Sequence, residues 1–356
     1  MNKLKDVAKL AGVSEATASM AMNNRIGINK NTQKKVLEAA KRLNYVPSNI
    51  ARGLTNKSTK NIGLVVPDIE NPFFGSLTKY MDFYAKEADY SLILSISDEN
   101  PAKEDKILYN LISKRVDGIV IVPTFNPRSE IPYLDALKDH QIPYIFSTSF
   151  YPGYEENCVY TDLEKGSYQI TKYLIDLGHR DIWLLTSEFV EIAFSELRIN
   201  GYKRALNEAG IPVNDKAIQR CKRTDFNSGY ATTKRILSES KPSAIIAIND
   251  MLALGAKQAA LELGFSIPGD ISIAGYDDIL YSYLSEIPLT TVRQNLQEIA
   301  KTTMEILISR IAKKTDLEYN RIIDPELIIR KSTGRKIIQE LDFRNSSQKQ
   351  TTPSLI

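Results

Sequence analysis

The chain has 356 residues, 43% of them apolar, and a formal net charge of +3. That length exceeds one ordinary domain and the apolar content suffices for real cores, while no run approaches the roughly 20 apolar residues of a membrane span. Cys158 and Cys221 form no CxxC and no second pair, which excludes a disulfide framework or a zinc site and leaves two buried or half-buried thiols.

The opening stretch MNKLKDVAKLAGVS lacks the apolar core and cleavage site of an export signal, so a soluble cytoplasmic protein is expected. Charge is unevenly divided. Residues 1–60 carry 12 lysines and arginines against three acidic residues, a net of +9, and the remainder is net −6. A short basic head on a mildly acidic body points to a polyanionic partner for the head alone, although a solvated helical surface has the same composition.

LKDVAKLAGVSEATASMAMNN reads as two short helices. Val7, Ala8, Leu10 and Ala11 give the first an apolar face, Gly12 ends it in a left-handed turn, and Ser14 caps the second. A third amphipathic helix is predicted from about Asn31 to Leu43, with Val36, Leu37, Ala40 and Leu43 at helical spacing and Thr32 or Asn31 as its cap. Two helices joined by a glycine turn, closed by a third, make a helix-turn-helix, whose second helix enters the major groove.

The motifs KDVAKLAGVS-x-AT-x-S, LNYVPSNIARGL and IGLVVPDIENPFF resemble the opening of the LacI/GalR family of bacterial transcription repressors, and the likeness runs to about residue 334. The resemblance implies a small all-α helix-turn-helix head on a two-lobed α/β body similar to periplasmic binding proteins, with doubly wound parallel sheets. The expected domains are a DNA-binding head at 1–46, a hinge helix and linker at 47–60, an effector-binding and dimerisation domain at 61–340, and a polar tail at 341–356. Within the body, lobe 1 takes 61–160 plus 292–323 and lobe 2 takes 161–290 plus 324–340. The resemblance also implies DNA contacts at Leu4, Lys5, Ser14, Glu15, Ala16, Thr17, Ser19, Met20, Asn23, Arg25 and Thr32.

A family hinge folds on operator DNA and drives a leucine into a minor-groove step. The matching residues are Asn49–Leu54, with Ala51 lining the hinge contact, Leu54 as the wedge, and Arg52, Lys57 and Lys60 as phosphate partners. Gly53 makes an isolated hinge helix poor, which suits folding coupled to binding; a plain polar linker is the competing explanation.

From residue 61, IGLVVP, YSLILSI, DGIVIVP and IPYIFS alternate with amphipathic helices, and DIWLLTS, SAIIAIND and ISIAGYDD form a second set. Such runs are buried parallel strands of two doubly wound lobes, whose ligands sit beyond the strands' carboxyl ends. Crossings between lobes are expected near Tyr160–Asp162, Thr290–Gln294 and Ile322–Asp324. Asn71 caps a helix with Pro72 at its first position, and Phe73 and Phe74 follow; one of the two is expected in the core. By resemblance, Phe73, Phe74, Arg198, Phe226, Asn249, Asp277 and Gln294 line an effector pocket. An arginine fork there grips vicinal hydroxyls, a carboxylate or a phosphate. Asp250 and Asp278 are read as helix caps, and Asp162 as a weaker candidate that serves equally as a cap.

No HExxH, GxSxG, Walker loop or GxGxxG occurs, and His140 and His179 bring no evident nucleophile, so neither an enzyme nor a cofactor is expected. A solute-binding protein is the competing reading of the body, but it calls for an export signal rather than a basic head. A catabolite-control relative answering to a phosphorylated carrier protein is another; those members lack the pocket arginine, whereas Arg198 is present. The expected partners are operator duplex DNA, a sugar or sugar phosphate effector, and a second copy of the chain. The interface is placed near Thr78–Tyr84, and the tail has no heptad spacing for a tetramer.

The second helix departs from the family at Ala18, where valine is frequent, and at Met20, where arginine is frequent. Methionine cannot grip guanine O6 and N7 as arginine does, but it packs on a thymine methyl, and Glu15 accepts from cytosine N4. A half-site with A·T opposite Met20 follows, with Lys3, Lys5, Lys9, Arg25, Lys30, Lys34 and Lys35 supplying phosphate contacts.

Overall fold

A computed structural model describes residues 2–23, 27–45, 58–124, 131–188, 193–313 and 320–336. Arg25 and the hinge candidates Ala51, Arg52 and Leu54 lie outside the described residues. The chain forms two compact units, one holding the head with residues 58–61 and the turn Arg115–Asp117, the other holding the rest.

The head contains α1 (Leu4–Ala11), α2 (Glu15–Met22) and α3 (Lys30–Arg42). Gly12 adopts φ +70°, and Val13 N–H returns to the Ala8 carbonyl at 3.0 Å, closing α1 in the left-handed manner that glycine permits. Ser14 Oγ accepts from Thr17 N at 3.1 Å and caps α2. The cap of α3 is Asn29, whose side chain accepts from Asn31 N at 2.8 Å, not Asn31 or Thr32. Val7, Ala8, Ala18, Ala21, Val36, Ala39 and Ala40 form the core. Leu10 and Leu37, counted on the apolar faces, are instead 50% and 47% exposed. Each sits roughly 100° around its helix from the buried stripe at 100° per residue, and Ala39 takes the inward place beside Val36.

In the body, β1 (Asn61–Val66), α4 (Pro72–Glu87), β2 (Ser91–Ile96), α5 (Pro101–Ser113), β3 (Gly118–Ile121), α6 (Pro132–Asp139), β4 (Tyr144–Ser147) and β5 (Cys158–Thr161) alternate as βα units. They continue through α7 (Leu163–Asp176), β6 (Ile182–Ser187), α8 (Ala193–Glu208), β7 (Ile218–Cys221), α9 (Phe226–Glu239), β8 (Ala244–Ala247), α10 (Asp250–Glu262), β9 (Ser272–Asp277) and the short α11 (Leu280–Leu284). The last elements are β10 (Thr290–Arg293), α12 (Leu296–Ile311), β11 (Arg321–Ile323) and β12 (Glu326–Ile328).

Two six-stranded sheets result, in the orders β11-β5-β4-β3-β1-β2 and β12-β10-β9-β8-β6-β7. Non-consecutive parallel neighbours are the mark of doubly wound sheets. The one antiparallel pair among the described ladders is β10 with β12. The chain passes from the first sheet to the second after Thr161, back after Arg293, and across again after Ile323. Val292 and Arg293, assigned to the first lobe from sequence, pair with Tyr276 and Asp277 in the second sheet. The buried run Thr290–Val292 keeps β10 in that sheet through Arg293, before Asn295 caps α12.

Ile62, Leu64, Val120, Ile145, Val159, Met304 and Leu307 centre the first lobe's core; Leu184, Ile245, Ala253, Ile273 and Tyr276 centre the second. In the second lobe the helices pair at glycine contact distance. A Cβ on Gly201 would stand 2.1 Å from the Glu164 carbonyl oxygen, and one on Gly255 2.1 Å from that of Phe226. Cys158 and Cys221 are both buried and free.

Candidate functional site: an interlobe cavity and an exposed recognition helix

Strand ends converge on a cavity of about 290 Å³ in the body. The first lobe contributes Asn71, Phe73 and Phe74 after β1, Asp98 and Glu99 after β2, Pro123 and Thr124 after β3, and Thr148 and Ser149 after β4. The second lobe contributes Ser187, Phe194, Arg198, Lys222, Arg223, Asn249, Asp277 and Gln294.

Local rules place these side chains. Asn71 Oδ1 accepts from Phe73 N at 3.1 Å and Pro72 opens α4, which sets the two phenylalanines on the first turn. Their rings stand edge to face, centroids 5.2 Å apart. Both line the cavity; Phe73 is buried, and Phe74 also packs against the lobe core, so neither is core alone.

Arg198 is 5% exposed. Its guanidinium lies 4.1 Å from the Tyr276 ring centroid, donates to the Phe194 carbonyl at 3.0 Å, and approaches Asp277 Oδ1 at 3.7 Å. Gln294 Nε2 donates to the same carboxylate oxygen at 2.7 Å. Burial pushes Asp277 up to about 8, against the pull of Arg198. Asp277 also holds φ +114°, a backbone state that costs free energy and concentrates at binding sites.

Four buried polar atoms on this lining lack a hydrogen-bond partner among the described residues: Thr124 Oγ1, Ser149 Oγ, Arg198 Nε and Gln294 Oε1. A stranded polar atom costs about 1–3 kcal/mol, and a polar guest restores that loss. Donors, an acceptor and aromatic rings around one space suit a compact, hydroxyl-rich or otherwise polar small molecule.

Behind the first-lobe wall, Glu104 takes Thr124 N at 2.9 Å, Tyr133 OH at 2.8 Å and Tyr151 OH at 2.6 Å. Burial raises its pKa, offset by those donors. This cluster fixes the loop that presents Thr124.

Several sequence expectations change here. Phe226 is absent from the lining: it is the first residue of α9, and its carbonyl sits beneath Gly255, where α9 and α10 make close contact. Asn249 lines the cavity, yet its Oδ1 accepts from Leu252 N and its Nδ2 donates to Thr224 O, so it is the cap of α10. Asp250 is therefore no cap. It is fully buried and accepts from Ile279 N, Ser282 Oγ and Thr291 Oγ1, and burial pushes it up to about 7. Nor does Asp278 cap α11; it binds Arg293 and Arg330. Asp162 caps α7 through Lys165 N. His179 is a structural tie, bonded to Ser243 Oγ and the Gly334 carbonyl, each at 3.0 Å. Asp98, Glu99, Thr124, Thr148, Ser149, Lys222 and Arg223 were missed, although each lies within three residues of a strand's carboxyl end.

In the head, Ala16, Ser19, Met20 and Asn23 lie on the face of α2 opposite the buried Ala18 and Ala21, at about 100° per residue. Glu15 and Ala16 are exposed and Met20 is half-buried. Ser14 and Thr17 hydroxyls bond each other at 2.9 Å, and Asn23 Nδ2 donates to the Ser19 carbonyl. Leu4 and Thr32 are half-buried and Lys5 is exposed.

Residues 3–48 match the family described as bacterial regulatory proteins, lacI family, and residues 171–333 match a periplasmic binding protein-like domain. The chain is 35% identical over 311 residues to catabolite control protein A of Priestia megaterium, covering 87% of this chain and 92% of that protein. It is 35% identical over 338 residues to the transcriptional repressor PurR of Histophilus somni, covering 93% and 99%. A solved lac repressor dimer, bound to operator and an anti-inducer, superposes with a TM-score of 0.83 at 26% identity, over 94% of this chain and 99% of that one.

Proposed function

We propose, from the premise that this chain belongs to the lacI family of bacterial regulatory proteins, that it is a dimeric repressor whose operator affinity is set by a sugar or sugar phosphate held between the lobes. DNA-binding transcriptional regulation follows from membership of the family. The observation that carries the effector reading is the set of stranded polar atoms on Thr124, Ser149, Arg198 and Gln294 beside Phe73 and Phe74. Cytoplasmic residence, on the nucleoid when DNA is bound, belongs to the same reading.

The helix face of Ala16, Ser19 and Met20 reads bases, with A·T opposite Met20, while the basic head binds phosphates. Two heads read two half-sites. Support for pairing comes from exposed apolar side chains: Phe83 at 55% within the region named from sequence, and Leu280, Tyr281, Tyr283 and Leu284 on α11, which sequence reading did not single out.

Two measurements test the reading. Selection of duplexes from a random library by the full-length protein at fixed salt yields a palindrome; weak binding without a motif, vanishing with salt, overturns the operator reading. A thermal-shift panel of neutral sugars and sugar phosphates gives a stabilising member; R198A abolishes that shift.

A second reading is favoured by the 35% identity to catabolite control protein A, namely regulation by a phosphorylated carrier protein. A silent panel, together with operator binding enhanced by such a carrier, would select it.

A further inference from the structure

Residues 58–61 are fastened to the turn that joins α5 to β3. Thr59 N donates to Asp117 Oδ1 at 2.7 Å, and Thr59 Oγ1 donates to that oxygen at 3.0 Å. Lys60 N donates to Asp117 Oδ2 at 3.0 Å, and Ser58 Oγ donates to the same oxygen. Asp117 N in turn donates to the Asn61 carbonyl at 2.8 Å, and Thr59 Oγ1 also reaches the Arg115 carbonyl at 3.0 Å. One carboxylate thus takes four donors from three consecutive residues.

The arrangement follows from the fold. β1 and β3 pair in register from Ile62 with Gly118, and Asp117 is the residue just before that ladder. A carboxylate there meets the chain one step ahead of β1, where regular pairing has ended. Lys60 and Arg115 adopt φ +57° and +55°, so both strands turn sharply at the fastening. Carboxylate bonds to backbone N–H groups are the stronger, charge-assisted kind.

We infer that Asp117 is a positioning residue for operator recognition: it fixes the point and direction from which the segment carrying the head leaves the body. The inference rests on the proposed reading of two heads on two half-sites. Freeing three or four further residues costs little closure entropy, because that cost grows only with the logarithm of length. Affinity for the best duplex therefore changes little when the clamp is lost. What changes is tolerance of geometry, since a looser tether lets each head reach half-sites at other separations and rotations.

The test uses the full-length protein and the palindromic duplex it selects, beside a duplex with two base pairs inserted between the half-sites, a rotation of roughly 70°. In D117N, amide exchange at Thr59 and Lys60 accelerates, affinity for the selected duplex falls less than about threefold, and the preference over the inserted duplex shrinks about tenfold. T59V, which removes two of the bonds without altering charge, shrinks it by a smaller factor and serves if D117N does not fold. An unchanged preference in both variants, or amides that stay protected, overturns the inference. A wild-type protein indifferent to the insertion overturns the two-half-site reading itself, and the inference with it.

Discussion

Glu99 Oε2 stands 3.8 Å from Arg223 Nη2, the third residue following β2 in one lobe and the second following β7 in the other. The two lobes are thus tied across the cavity by charge. Both partners are substantially exposed, and Arg223 is shared with Asp225 of its own lobe at 3.3 Å. Such a pair contributes about 0.5–1 kcal/mol. E99Q is expected to speed dissociation of a stabilising effector two- to fivefold in low salt and to have no effect at high salt, in stopped-flow measurements. Equal rates in low salt would remove the latch. Burial raises the Glu99 pKa, with Arg223 opposing, so acidification has the same direction of effect as E99Q.

The buried carboxylates give the fold a pH signature. Burial pushes Asp277 to about 8 and Asp250 to about 7, from 3.8. Each raised acid keeps its proton in the folded chain at pH values where the unfolded chain has lost it. Their contribution to stability therefore falls as pH rises from about 4 to about 8 and levels off above. D277N, neutral throughout and still able to accept from Gln294, is expected to flatten that slope in urea unfolding measured from pH 5 to 9. A slope identical to the wild type would place the charge elsewhere.

How far the sequence carried depended on the range of each interaction. The Gly12 turn and the Ser14 cap are decided within four residues and were readable. Asn29, Asn31 and Thr32 offer the same cap chemistry, and only the extended backbone at Asn29, just ahead of the helical residues, selects among them. Asn249 and Asp250 pose the same ambiguity: once asparagine caps α10, the aspartate is free to face inward. Its partners Ser282 and Thr291 lie 32 and 41 residues onward, beyond any local pattern. The strand ends that build the cavity were legible as a rule of the fold. Glu99, Thr124 and Ser149 escaped because no motif marked them.

Helix packing in the second lobe gives a stability prediction with an internal control. A Cβ at Gly255 would meet the Phe226 carbonyl oxygen at 2.1 Å and Tyr230 N at 2.7 Å, both backbone atoms that cannot swing aside. G255A is expected to destabilise by about 3 kcal/mol. Gly75, on α4, has nothing within 4 Å of its Cβ position, so G75A is expected to stabilise by about 0.5–1 kcal/mol through lower chain entropy. Denaturant midpoints at constant m-value report both, and equal midpoints would refute the close-contact account.

The base-reading role proposed for Met20 is open to a direct test. Ala18 and Ala21 are buried against α1 and α3, which turns Ala16, Ser19, Met20 and Asn23 outward, and none of these four carries positive charge. Met20 is half-buried on the outward face, where an arginine stem can carry its guanidinium into solvent, so M20R is expected to fold. A guanidinium there can form two bonds with guanine O6 and N7, worth about 1–3 kcal/mol of discrimination. Duplex selection with M20R is expected to fix guanine where the wild-type protein selects A·T, with the flanking positions unchanged. Should both proteins select the same base, Met20 faces no base, and the departure from arginine carries no specificity.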